Sequence, residues 1–177
     1  MKNSLPFVYS FPPVVSPSSK VLILGSMPGE VSLKAHEYYA HPRNAFWRIM
    51  GELFGAGPPL PYQERLSVLD RAGIALWDSL RACTRPGSLD SAIRDEEAND
   101  FVTLFASFPK ITHVFFNGAK SEAAFRRHVL PRLTDPKHAF VRLPSTSPAH
   151  AGMTFDNKVE RWRAVAKALS YEPYRPA

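Results

Sequence analysis

Two short segments of this chain gather glycine, aromatic, charged and amide residues that could do chemistry together. The apolar run Val21-Leu22-Ile23-Leu24 breaks into Gly25-Ser26-Met27-Pro28-Gly29, and Tyr38-Tyr39-Ala40-His41-Pro42-Arg43-Asn44-Ala45-Phe46-Trp47 follows soon after. A buried strand that ends in a Gly/Pro loop presents backbone N–H groups at the rim of a sheet, where a phosphate or base edge can approach closely. The second segment adds flat aromatic faces, the charge of Arg43 and the neutral carboxamide of Asn44. These parts suit holding an unstacked base and placing a water beside its sugar. Further on, Ser145-Thr146-Ser147-Pro148-Ala149-His150 forms a hydroxyl-rich, proline-stiffened loop suited to phosphate contacts.

Each feature also has a plainer explanation. Gly25 to Gly29 fits an ordinary turn, because Gly and Pro are generic turn residues. Tyr38 and Tyr39 fit half-buried cover for the following helix, and Asn44 fits a helix N-cap, a role worth about 1 kcal/mol. His41, in a proline-flanked loop, fits a surface or capping residue, and the Ser145–His150 loop fits a Ser/Thr turn. Asp78 suits either a cap or a charge at a pocket, and Cys83 reads as a small inert side chain. The patterns GxxxxGK[ST], GxGxxG and G-x-S-x-G are absent, and no pair of histidines has metal-ligand spacing.

The elements that must position these residues follow from apolar periodicity. Strands are expected at about 21–25, 74–77, 111–116 and 139–143, with helices at about 44–54, 62–71, 96–108, 119–130 and 155–169. Residues 1–19, with Pro6, Pro12, Pro13 and Pro17, read as an extended lead-in strapped across a single domain spanning 1–177. Asp78-Ser79-Leu80-Arg81 and the turn-rich Thr84-Arg85-Pro86-Gly87-Ser88 follow the second strand. Apolar strands alternating with helices imply an α/β fold with a four-stranded parallel sheet covered on both faces. Right-handed crossovers bring the strand C-termini to one edge, where ligands of such folds bind. That edge would gather Gly25–Gly29, Asp78-Ser79, Asn117-Gly118 and Pro144–Pro148.

Composition bounds the partners. The 177 residues are 45% hydrophobic and 21% charged, which suits one folded domain with a sizeable core. A net charge of +6 and a pI near 9.6 favour a polyanion, although the basic residues are scattered and any DNA surface must be assembled by folding. The apolar runs are too short to span a bilayer, and the N-terminus lacks a signal-like apolar core, so the cytosol is the expected compartment. The single cysteine, Cys83, excludes an internal disulfide and any multi-cysteine metal site.

Taken together, GSMPGEVSL (Gly25 to Leu33), YYAHPRNAFWRIMGELFG (Tyr38 to Gly55) and LPSTSPAH (Leu143 to His150) resemble the uracil-DNA glycosylase superfamily, and most closely its hypoxanthine-DNA (deoxyinosine) glycosylase branch. The resemblance covers about residues 21–169. It implies a three-layer α/β/α sandwich and a monofunctional glycosylase that uses no cofactor or metal and acts on duplex DNA as a monomer. In the deoxyinosine branch the catalytic role is attributed to the asparagine matching Asn44. Mismatch-specific uracil glycosylases instead place an asparagine in the first loop, where this chain has Met27.

The implied roles are Asn44 as catalytic residue, and Gly25, Ser26, Met27, Pro28, Gly29, Tyr39, His41 and Asn117 around the base. Ser145, Thr146, Ser147, Pro148 and His150 would hold DNA and help fill the space left in the duplex. The competing readings are a mismatch-specific uracil or thymine glycosylase, a non-catalytic binder of damaged DNA, and a hydrolase or transferase of free nucleosides.

Overall fold

The computed structural model describes residues 5–170. In chain order these form β1 (Phe7–Tyr9), β2 (Val21–Gly25), α1 (Glu30–Ala35), α2 (Phe46–Phe54), α3 (Tyr62–Ala72), β3 (Ile74–Asp78) and β4 (Leu80–Thr84). Then follow β5 (Arg94–Ala98), α4 (Phe101–Ser107), β6 (His113–Asn117), α5 (Ala119–His128), β7 (Ala139–Leu143) and α6 (Phe155–Ala168). The expected parallel sheet is present, in the order β3-β2-β6-β7.

Alternation along β2 divides the interior in two. Val21 and Ile23 join α2 and α6 through Phe46, Ile49, Met50, Leu53, Trp162 and Val165. Leu22 and Leu24 point the other way, toward Phe101, Leu104 and Phe125 of α4 and α5. Because successive strand residues face opposite sides, a strand apolar throughout must be covered on both. Every residue of β2 and β3 is buried accordingly. The result is the three-layer sandwich that the sequence implied.

A second sheet was not expected. Strands β1, β4 and β5 pair antiparallel in the order β1-β4-β5. The proline-rich lead-in thus contributes strand β1 and, further on, a bridge between Val14 and Leu76; residues 1–4 lie outside the described residues. Strand β4, whose Leu80, Ala82, Cys83 and Thr84 are buried, runs up to the turn-rich stretch and takes in its first residue, Thr84. The expected helix over 96–108 is corrected to a strand followed by a shorter helix. Asp100 caps α4 by accepting the Thr103 N–H at 3.1 Å, which starts the helix after Asn99. The Glu96-Glu97-Ala98 stretch favours helix locally, but pairing with β4 and ion pairs of Glu96 with Lys120 and of Glu97 with Arg81 hold it extended. The small sheet packs through Leu80 and Cys83, with Ile93 just before β5, on Met27 and Ala124, behind the first glycine loop.

Candidate active site

An open cavity of about 700 Å3 lies at the carboxyl edge of the parallel sheet, in the size range of small-molecule sites. Its wall contains Gly25, Ser26, Met27, Pro28 and Gly29 from the β2 loop, Tyr39, His41 and Asn44 before α2, Asn117 at the end of β6, and Ser145, Thr146, Ser147, Pro148 and His150 after β7. The structure therefore brings all the residues singled out in the sequence to one place. The Met27 side chain turns into the small core, and the Met27 and Gly29 N–H groups have no hydrogen-bond partner among the described residues.

Asn44 is half-buried in the cavity wall and stands one residue before Ala45, the N-cap of α2, so its side chain tightens the entry to the helix and is not its N-cap. Its Oδ1 accepts the Phe46 N–H at 2.9 Å, at the first residue of α2, so the oxygen and nitrogen of the amide are distinguished by the backbone. One lone pair of Oδ1 and both Nδ2 hydrogens remain for the cavity. The preceding turn is fixed in its own right. His41 Nδ1 accepts the Arg43 N–H at 3.1 Å, so a neutral His41 carries its proton on Nε2, and the His41 carbonyl accepts the Asn44 N–H at 2.9 Å.

The neighbouring tyrosines divide their roles. Tyr38 is buried and structural: its hydroxyl donates to the Pro12 carbonyl at 3.1 Å, and its carbonyl accepts from Trp47 Nε1 at 2.9 Å. Tyr39 sits at φ 56°, a left-handed conformation that costs a non-glycine residue on the order of 1 kcal/mol. Its ring stacks on Phe46 with centroids 3.9 Å apart and planes at 24°, so a helix of the core supports an aromatic plate in the cavity wall.

Loop 145–150 is held by the end of β6 and by the turn before α2. Asn117 Nδ2 donates to Thr146 Oγ1, the Thr146 N–H donates to Asn117 Oδ1, both at 2.9 Å, and the Thr146 carbonyl accepts the Ala45 N–H at 3.0 Å. Thr146 is buried and joins β6 to the Asn44 turn, which leaves Ser145, Ser147, Pro148 and His150 as the accessible members. Asn117 also lines the cavity, beside the Tyr39 hydroxyl. Gly118, at φ 95°, passes so close to Ser145 that a Cβ there would lie 3.0 Å from its Cβ.

The role of Asp78, open in the sequence, becomes visible at the end of β3. Only 3% exposed, it lines the cavity with Oδ2 unpaired, beside the buried and unpaired hydroxyl of Tyr39. Burial pushes its carboxyl up to about 8; Asp90 adds to this and the Arg85 guanidinium opposes it. Burial, reinforced by Asp78, likewise raises the Tyr39 phenol well above its ordinary value. The same crowding explains Gly25, where a Cβ would meet Asp78 Oδ1 at 2.5 Å and the Tyr39 hydroxyl at 3.3 Å. Gly25→Ala is expected to destabilise the fold by about 1–3 kcal/mol, read as a lower denaturant midpoint at constant slope. An unchanged midpoint would mean that Asp78 does not press on β2.

The family model for the Uracil DNA glycosylase superfamily matches residues 12–168. The chain belongs to that superfamily. Hypoxanthine DNA glycosylase of Methanosarcina barkeri is 46% identical over 112 residues, spanning 63% of this chain and 71% of that protein. Hypoxanthine DNA glycosylase of Methanosarcina acetivorans is 36% identical over 156 residues, 88% of this chain and 95% of the relative. The solution NMR structure of a Methanosarcina acetivorans protein, provisionally described as a uracil DNA glycosylase, superposes with a TM-score of 0.79 at 34% identity. That likeness covers 94% of this chain and all of the other.

In this glycosylase-superfamily chain, sequence reasoning missed the second layer of the site. Arg85, 6% exposed, donates to the Pro28 carbonyl, and Ser26 Oγ donates to Asp90 Oδ1 at 2.6 Å. The Arg85–Asp90 loop thus braces the glycine loop from behind. The available signal was Arg85-Pro86-Gly87-Ser88, a turn carrying a charge between two runs that proved to be strands.

Proposed function

We propose that the chain is a monofunctional DNA glycosylase that extrudes a deaminated nucleotide, foremost deoxyinosine, from duplex DNA and hydrolyses its N-glycosidic bond. The observation that carries this reading is one cavity shared by a braced aromatic plate, Tyr39 on Phe46, and a carboxamide, Asn44, whose orientation the backbone fixes. The names of the two Methanosarcina relatives supply the base.

In this reading Tyr39 stacks on the base and the free N–H groups of Met27 and Gly29 meet its polar edge. Asp78, held neutral at pH 7, offers a donor and an acceptor, matching a lactam edge such as N1–H and C6=O of hypoxanthine. Water bound to Asn44 forms the new bond at C1′ as the C1′–N9 bond breaks, and the electron pair leaves with the purine. The proton that the water gives up ends on the departing purine, which leaves as neutral hypoxanthine. An amide orients water but is a weak base, so most of the acceleration comes from positioning and from stabilising the leaving anion and the oxocarbenium-like sugar. Ser145, Ser147 and His150 hold phosphates on one side, with Arg43 also on the rim. The protein acts as a monomer in the cytosol, and gel filtration reads the first of these points.

A panel of duplexes carrying deoxyinosine, deoxyuridine, deoxyxanthosine or a G·T mismatch tests the substrate. Alkali-labile sites are expected to form fastest at deoxyinosine. Faster cutting at deoxyuridine or at the mismatch would replace it with the uracil or thymine reading. Binding without abasic sites would make the protein a damage binder, and hydrolysis of free inosine alone would make it a nucleoside hydrolase.

A further inference from the structure

Two carbonyls of the first loop are gripped from the side of the small sheet. The Ser26 carbonyl accepts the Leu80 N–H at 3.1 Å, and the Pro28 carbonyl accepts from Arg85 Nη2. A peptide unit is planar, and in its trans form the C=O and N–H point in opposite directions. No described peptide bond is cis. Holding those two carbonyls from behind therefore turns the N–H groups of Met27 and Gly29 the other way. Both residues stand in the cavity wall, and both N–H groups lack a partner among the described residues. The ties on either side are close: the Glu30 N–H donates to Ser88 Oγ at 2.9 Å, and a Cβ on Gly29 would lie 3.3 Å from that oxygen.

Arg85 is the buried member of its loop, only 6% exposed, whereas Pro86 to Asp90 are exposed. Its Nε and Nη1 are buried without a hydrogen-bond partner, and among the described residues no carboxylate lies within ion-pair distance of it. A guanidinium buried in this way costs stability, and an apolar side chain of similar length would cost less. Packing alone therefore gives no reason for an arginine here. Unsatisfied buried groups in a native fold gather where function requires them.

The chemistry supplies such a requirement. As the C1′–N9 bond breaks, negative charge moves onto the purine, and donors fixed in advance at that place lower the barrier. A charged donor on a carbonyl also polarises the amide, which strengthens the N–H at its other end. We propose that Arg85 is a positioning residue for excision, which aims and polarises the Gly29 N–H toward the departing base by gripping the carbonyl of the same peptide. The inference rests on the glycosylase reading above and adds to it the group that directs one contact with the leaving base.

Single-turnover excision of deoxyinosine over a range of protein concentrations separates the maximal rate from the concentration at half-saturation. For Arg85→Met the maximal rate is expected to fall about 10–100-fold, with half-saturation within about threefold of the unaltered protein. Its denaturant midpoint is expected to hold or rise, because the substitution removes a buried charge that has no ion-pair partner. Arg85→Lys, which keeps a charged donor on a long stem, is expected to recover to within about fivefold in maximal rate. A midpoint that falls together with the rate would reduce Arg85 to a structural residue and overturn the proposal. An unchanged rate, a loss confined to half-saturation, or a folded lysine variant as slow as the methionine one would overturn it too. Each of these outcomes leaves the glycosylase reading standing, whereas no release of hypoxanthine by the unaltered protein would overturn both.

Discussion

Asn44→Ala is expected to slow single-turnover excision of deoxyinosine by about 10²–10³-fold while duplex affinity stays within a few-fold, the size of effect seen when one positioned polar group is lost at a reacting centre. A control is needed, because the same side chain also fixes the entry to α2 by accepting the Phe46 N–H, much as an N-cap would. Losing that bond alone costs about 1 kcal/mol of stability, which lowers the folded fraction only if the protein is already marginal. Asn44→Ser separates the two contributions. Serine accepts such an N–H equally well, so the denaturant midpoint is expected to recover, but its shorter hydroxyl cannot hold water at the carboxamide's position and the rate is expected to stay low. Recovery of rate together with stability in the serine variant would reduce Asn44 to a residue of the helix entry.

Asp78→Asn is expected to change how stability depends on pH. The carboxyl titrates near 3.8 in an unfolded chain and at about 8 in the fold, where it faces Tyr38, Tyr39, Arg85 and Asp90. Below both values it is protonated in either state, and its contribution to stability is fully present. As pH rises between them, the unfolded chain releases the proton and the folded one keeps it, so unfolding becomes easier. The slope approaches about 1.4 kcal/mol per pH unit and levels off once the folded group ionises. An asparagine has the same shape and no proton to lose. Denaturant unfolding from pH 5 to 9 is expected to show the unaltered protein losing stability with pH and the variant losing clearly less, with the variant the more stable of the two at pH 9. Parallel curves would place the carboxyl in water or in a tight pair with Arg85.

Most of the framework was legible because it depends on periodicity. The strands at Val21–Gly25, Ile74–Asp78, His113–Asn117 and Ala139–Leu143 are short apolar or alternating runs between turn residues, and their parallel order placed the rim before any side chain was positioned. Strand β5 was hidden because Arg94-Asp95-Glu96-Glu97 carries no apolar alternation; only pairing with β4 and ion pairs to Lys120 and Arg81 make it a strand. Local propensity pointed to helix, and tertiary pairing overrode it.

The site divides along the same line. Asn44, Tyr39 and the glycine loop stand out by residue type near a strand end, and the cavity gathers them. What sequence could not show is which atoms remain free once the fold is made. Asn117 and Thr146 spend most of their hydrogen-bonding capacity on each other, whereas Asp78 and the Tyr39 hydroxyl are left buried and unpaired. That difference depends on distances between segments many residues apart. It is also why Asp78 moved from an undecided residue to a buried group in the cavity wall, and why the brace from Arg85 to Pro28 went unseen.

The central claim is that the pocket breaks one bond, between sugar and base, and leaves the DNA strand intact. Mass spectrometry of a deoxyinosine duplex incubated with the unaltered protein reads this directly. The account predicts release of free hypoxanthine and a strand lighter by the exchange of that base for a hydroxyl, cleaved only after alkali. An unchanged strand, or one cut at the phosphodiester without alkali, would contradict it.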